Sequence, residues 1–226
     1  KAYNTAPATF PTASRTGHTF VGWFDTSVTS GGTQATTTTK VTGTKTWYAR
    51  WSINSYTFTF DKNGGNTPSS TTITKEYNTA VGTLPTCTRN ADNTYTYAFA
   101  GWFDTSASSG GTQLTTTTKV ISNKTWYARW TPTYKNYTVT WDGNGGTPSK
   151  SSSSFHYNDA LGTLPTATRT GYTFKGWSTS KTGTVNVSTT TKVTANVTYY
   201  AVWTINPYTW TFDANGGTGD TTKTLN

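Results

Sequence analysis

One alternating pentapeptide occurs three times in this chain and sets the limits on its fold. Tyr56-Thr-Phe-Thr-Phe60, Tyr137-Thr-Val-Thr-Trp141 and Tyr208-Thr-Trp-Thr-Phe212 place a large apolar residue at every second position. A strand has a side-chain period of two, so the bulky residues share one sheet face and the Thr residues the other. Each segment then runs into Asp-x-Asn-Gly-Gly, at Asp61 to Gly65, Asp142 to Gly146 and Asp213 to Gly217. Glycine supplies positive φ there, and the Asp and Asn side chains can cap the turn backbone. A hairpin into 71–77 and its equivalents is therefore expected.

Further motifs recur in a fixed order. Gly-Trp stands at Gly22-Trp23, Gly101-Trp102 and Gly176-Trp177, and Tyr-Ala-x-Trp at Tyr48 to Trp51, Tyr127 to Trp130 and Tyr200 to Trp203. Phe10-Pro11, Leu84-Pro85 and Leu164-Pro165 are each followed by Arg. The closing Trp residues are 79 and 73 residues apart, which makes this a tandem repeat of about 75 residues. Five additional residues between Arg89 and Trp102 are expected to lengthen a hairpin or loop. The repeats divide as 1–52, lacking an opening hairpin, then 53–131, 132–204, and an opening hairpin alone at 205–226. With four or five short strands each, they predict a mainly β chain, a tandem array of small antiparallel or mixed sheets. The 79–86 segment is read as one helical turn or an irregular crossover.

The two ends are complementary in count. Asp61 precedes Arg89 by 28 residues and Asp142 precedes Arg169 by 27, and joining Asn226 of one copy to Lys1 of another restores 28 from Asp213 to Arg15. Lys1-Ala-Tyr3 then falls where Lys75-Glu-Tyr77 stands. The expectation is that Tyr208, Trp210 and Phe212 of one chain meet the region of Lys1 and Tyr3 of the next. An open strand edge invites such pairing. A head-to-tail contact of this kind propagates as a filament. A slice of a longer covalent stalk fits the same counts, and the absence of Met implies a processed or internal start at Lys1.

Only 32% of the residues are hydrophobic, so the cores should be thin and carried by the 10 Trp, 14 Tyr and 10 Phe. Thr makes up about a quarter of the chain, which suits pleated surfaces. The net charge of +9 comes from basic residues scattered at matching repeat positions, such as Arg15, Arg89 and Arg169. That dilution argues for solvated faces and against nucleic acid, leaving cell wall or another acidic polymer as a weaker reading. Cys87 stands where the other repeats have Ala13 and Ala167, so a buried small apolar role is expected. No apolar run reaches the length of a membrane-spanning helix.

Catalytic chemistry finds no footing. His18 and His156 occupy non-equivalent places with no Cys or carboxylate at ligand spacing, so no catalytic residue, metal or cofactor is expected. The recurrent Trp residues read as core anchors. Trp47 and Trp126 are assigned the opposite parity and a possible exposed aromatic surface, on which an adhesin could bind glycan or host protein.

Taken together, the Asp-x-Asn-Gly-Gly opening, Leu-Pro-x-x-x-Arg, Gly171-Tyr-Thr-Phe-x-Gly-Trp177 and Tyr-Ala-x-Trp closely resemble the Listeria-Bacteroides repeat, also called the internalin B-repeat. The resemblance covers essentially the whole chain. It implies a β-grasp-like α+β module with little helix, found in tandem on bacterial surface and secreted proteins as stalk, spacer or interaction unit. The location it implies is extracellular or at the cell surface.

Overall fold

A computed structural model describes residues 2–219 and 221–225. The strands are, in chain order, β1 (His18–Phe24), β2 (Tyr48–Ile53), β3 (Ser55–Asp61), β4 (Thr72–Glu76), β5 (Thr79–Ala80), β6 (Tyr95–Phe103), β7 (Lys119–Val120) and β8 (Lys124–Tyr134). There follow β9 (Asn136–Asp142), β10 (Thr147–Pro148), β11 (Ser152–His156), β12 (Ala167–Thr168), β13 (Tyr172–Ser178), β14 (Val197–Ile205), β15 (Tyr208–Thr211) and β16 (Thr222–Leu225). Among the described residues there is no helix, so the class is mainly β, and of the two readings of 79–86 the irregular crossover is the one observed. Its start is pinned as β5, paired antiparallel with β7. The chain forms two compact units, Lys1–Asn90 with Tyr97–Thr131, and Ala91–Thr96 with Pro132–Asn226.

In the first unit the complete sheet runs β4-β3-β8-β6. Strand β3 pairs antiparallel with β4, as the turn signal requires, and parallel with β8. A parallel partner needs a long crossover, which the intervening 62–123 segment supplies. The second unit repeats the order as β11-β9-β14-β13, with β14 and β9 parallel. Hairpin, crossover and hairpin with the first and last strands parallel at the centre is the β-grasp arrangement, here without its helix.

The first two alternating pentapeptides place their apolar face inward, and the third does not. Phe58 and Phe60 are buried in one core with Trp102, Trp126 and Trp130, while Val139 and Trp141 are buried in the other with Trp177 and Tyr199. The Gly-Trp indoles, Trp102 and Trp177, are among the largest fully buried side chains. Each indole N–H donates to the carbonyl of the upstream proline, Trp102 to Pro85 at 2.8 Å and Trp177 to Pro165 at 2.7 Å. This bond ties the irregular crossover onto the sheet and satisfies the buried donor. Cys87 is buried and Ala167 fills the matching place, as expected; burial raises the thiol pKa.

The insertion in the second repeat is a longer hairpin arm. Strand β6 has 9 residues against 7 in β13, and β8 has 11 against 9 in β14. Its outer end, 91–96, packs within the second unit: Lys135 N donates to Thr94 O at 2.8 Å, Tyr137 Oη to Asn93 O at 2.8 Å, and the Tyr95 and Tyr134 rings lie 4.7 Å apart.

Candidate assembly site

The complete repeats show what an opening hairpin does inside its module. Phe58 packs on Trp126 with ring centroids 5.5 Å apart, and Phe60 on Trp102 at 4.9 Å. In the next repeat Trp141 lies 4.9 Å from Trp177 and 5.5 Å from Tyr199. The backbone ladder matches Phe58 to Lys124 through Asp61 to Tyr127, and Val139 to Val197 through Asp142 to Tyr200.

The Asn-Gly-Gly turn is held as firmly as the strand. Asn63 Nδ2 donates to Ala128 O at 2.9 Å and Ser106 O at 3.0 Å, and Trp130 Nε1 donates to Asn63 O at 3.1 Å. Asn144 Nδ2 likewise donates to Lys181 O at 2.9 Å and Ala201 O at 3.0 Å, and Trp203 Nε1 to Gly143 O at 3.0 Å. The last glycine of the turn must be glycine. A Cβ at Gly65 would stand 2.3 Å from Trp130 Cζ2, and one at Gly146 2.5 Å from Trp203 Cζ2. Arg89 stacks over Tyr97 at 3.7 Å, with its guanidinium 3.6 Å from a Cβ position at Gly64. Arg169 stacks over Tyr172 at 3.8 Å and reaches Asn144 O at 3.4 Å. These two arginines therefore brace the turn, a role beyond the solvated one expected of them.

The first repeat keeps four of these groups, with His18 where the arginines of the complete modules stack on Tyr97 and Tyr172, and no opening hairpin covers them among the described residues. By position, Ser27, Ala49, Trp51 and Arg15 correspond to Ser106, Ala128, Trp130 and Arg89. All four line one hollow of about 150 Å³. A second hollow of about 200 Å³ is lined by Phe10, Pro11, Trp23 and Trp47, the places that the opening strand's aromatics cover in the complete modules. Its sheet is only β1 paired with β2. Strand β2 begins at Tyr48, whereas β8 begins at Lys124, which corresponds to Lys45. Without a parallel neighbour, residues 45–47 have no ladder to join. Trp23 still donates to Pro11 O at 3.0 Å, so the crossover is in place, yet its ring is only half-buried.

The terminal hairpin is the converse. β15 pairs with β16 in register, Tyr208 opposite Leu225, and its turn has the geometry of the other two, with Asn215 N donating to Asp213 Oδ1 at 2.9 Å. Its apolar face is bare: Tyr208 is 58%, Trp210 60% and Phe212 49% exposed, against 3% for both Phe58 and Phe60. Tyr3 is 79% exposed. Its counterpart Tyr77 presses onto Gly17 and meets His18 edge-on at 6.4 Å, while the matching Gly171 has nothing over it. The structure thus leaves all four described residues of the expected interface, Tyr3, Tyr208, Trp210 and Phe212, uncovered. Lys1 and Asn226 lie outside the described residues.

The expectation of an exposed aromatic surface fails at Trp126, which is 3% exposed. Trp126 is four residues before Trp130, hence on the same strand face, and β8 buries positions 126, 128 and 130 together. Trp47 is half-buried and lines the open hollow. Sequence reasoning missed Ser106, Ala128, Trp130 and Arg89 as turn-holding residues, and with them the matching Ser27, Ala49, Trp51 and Arg15. Their recurrence at matching positions was the available signal, but two of the four groups act through backbone carbonyls, which leave no mark on residue identity.

Comparison with known proteins identifies the repeated module. The Listeria-Bacteroides repeat domain matches at residues 1–50, 56–129 and 137–202. Among curated proteins, a "Putative Gly-rich membrane protein" of Evansella cellulosilytica is 30% identical over 203 residues, covering 89% of this chain and 22% of that protein. A "Putative membrane protein" of the same organism is 31% identical over 172 residues, covering 74% of this chain and 24% of that protein. The chain thus spans about a quarter of the length of these relatives. No solved structure matches it. The matches cover most of the sequence in three consecutive copies, and the chain belongs to the Listeria-Bacteroides repeat family, a family of bacterial surface-associated tandem repeats.

Proposed function

We propose that this chain is an extracellular structural protein whose copies join head to tail, the 208–225 hairpin of one completing the open first module of the next. The observation that carries the reading is the pair of matched vacancies. The first repeat offers a strand edge, an aromatic hollow and a turn-holding slot, and the hairpin offers an uncovered aromatic strand ending in Asp-x-Asn-Gly-Gly. Seated as β3 is seated, Trp210 would cover Trp47 and Phe212 would cover Trp23, with Asn215 reaching Ser27 O and Ala49 O. Tyr3 of the receiving copy would fall on Gly171 of the donor, closing the remaining exposed pair. The contact is heterologous, so copies would add without closing. Its role is mechanical, and no catalytic group is assigned.

Electron microscopy with sedimentation at rising concentration tests this. Filaments or growing oligomers are expected for the full chain, and their loss on deleting residues 207–226. Filaments that survive the deletion would sink the proposal. The length of the relatives favours a second reading, in which the hairpin filling each open module comes from the preceding repeat of one long covalent stalk. Mass measurement of native material under denaturing conditions separates the two, since a chain near 24.5 kDa supports free subunits.

A further inference from the structure

The chain holds three Asn-Gly pairs in one kind of turn, Asn63-Gly64, Asn144-Gly145 and Asn215-Gly216. Their backbones agree. The asparagine φ values are 43°, 47° and 46°, and each asparagine N–H donates to the Oδ1 of the aspartate two residues earlier, at 2.8, 2.8 and 2.9 Å. Their side chains do not. The carboxamides of Asn63 and Asn144 each donate to two carbonyls, whereas Asn215 is exposed and no hydrogen bond to its carboxamide exists among the described residues.

Asparagine before glycine is chemically vulnerable, because no Cβ on the following residue hinders its backbone nitrogen from approaching the side-chain carbonyl carbon. At Asn63 and Asn144 that approach requires two hydrogen bonds to break and a packed turn to open. At Asn215 neither barrier exists. We infer that Asn215 is a spontaneous deamidation site, protected only while its hairpin is docked. The Gly216 nitrogen attacks Asn215 Cγ and a cyclic imide forms as the carboxamide nitrogen leaves as ammonia, taking up the Gly216 amide proton. Water then opens the imide, at Cγ to give aspartate or at the backbone carbonyl to give isoaspartate.

The consequence for assembly rests on the hairpin-docking reading. A carboxylate only accepts hydrogen bonds, so it would face Ser27 O and Ala49 O with like polarity where the carboxamide donates to both. Isoaspartate in addition lengthens the turn backbone by one carbon. Undocked copies would therefore lose competence with age, while docked copies keep it.

The test incubates the full chain near neutral pH, dilute and concentrated, and follows the three sites by peptide mapping with isoaspartate detection. In dilute protein Asn215 should convert roughly tenfold faster or more than Asn63 and Asn144. In concentrated protein its rate should fall towards theirs, and Asn215→Asp should associate weakly even when fresh. Equal rates at the three sites in dilute protein would overturn the inference. Fast conversion of Asn215 at every concentration, with Asn215→Asp associating as the parent does, would support the modification and overturn the docking.

Discussion

Replacing Trp210 by alanine isolates the energetic centre of the proposed junction. Trp210 is 60% exposed, and the residue at its place in a complete module, Phe58, is 3% exposed. An indole of about 200 Å² would lose roughly 115 Å² of exposed surface on docking, worth about 3 kcal/mol at about 25 cal/mol per Å². Absolute affinity does not follow from area, because association carries a large fixed entropy cost. That cost cancels between the parent and a single variant. The alanine methyl retains a little of the burial, so Trp210→Ala should weaken association by about 2–3 kcal/mol, or roughly 30- to 150-fold. Thr209→Ala, on the opposite strand face, is the matched control and should change association little. Sedimentation velocity over a concentration series reads both, with circular dichroism to show that the folded modules persist. Identical mass distributions for parent and Trp210→Ala would refute the reasoning.

Trp102→Ala should destabilise the first unit by about 3–5 kcal/mol, and Trp23→Ala, in the open module, by roughly half that or less; urea unfolding checks the contrast. Gly65→Ala drives a methyl into Trp130 and the Thr88 carbonyl and should cost about 1–3 kcal/mol of folding stability. Gly217→Ala meets only the Ala214 carbonyl at 3.2 Å, so it should leave melting unchanged while blocking association against Trp51. The Asp104 carboxyl is held below its ordinary range, chiefly by the Thr112 N–H and then by Lys124. A depressed folded pKa means that the loop is held fully above the ordinary carboxyl range and released as pH falls through the lowered value. The third repeat uses the non-titrating Asn186 to receive the Thr179 N–H. Amide exchange in acid should therefore loosen Thr112 while Thr179 stays protected, and equal loosening of both would contradict the assignment.

The local half of the fold was legible. Alternation named the buried faces of β3 and β9, and Asn-Gly-Gly named their hairpins, because both signals act between residues close in sequence. The parallel partner was not legible, since nothing local to Phe58 marks Lys124 as its neighbour across 66 residues. Trp126 was misassigned for a related reason. Trp126 has the opposite parity to its neighbour Tyr127 but the same parity as Trp130, whose buried face it shares. The insertion shows the same limit. Trp130 to Tyr137 is two residues longer than Trp51 to Tyr56 or Trp203 to Tyr208, but that spacing gains meaning only once β6 and β8 are known to pair. The groups that hold the turn were half legible, through recurrent Arg and Trp, and half hidden in carbonyls.

The central parallel pair has a mechanical consequence. A chain under tension enters a complete module at the start of β3 and leaves at the end of β8, which lie side by side and point the same way. A pull on those ends slides one strand along the other and strains the ladder bonds together, instead of peeling them one at a time. In the first module β2 has no parallel neighbour among the described residues, so under the head-to-tail proposal the seated hairpin would limit the tensile strength of a joined array.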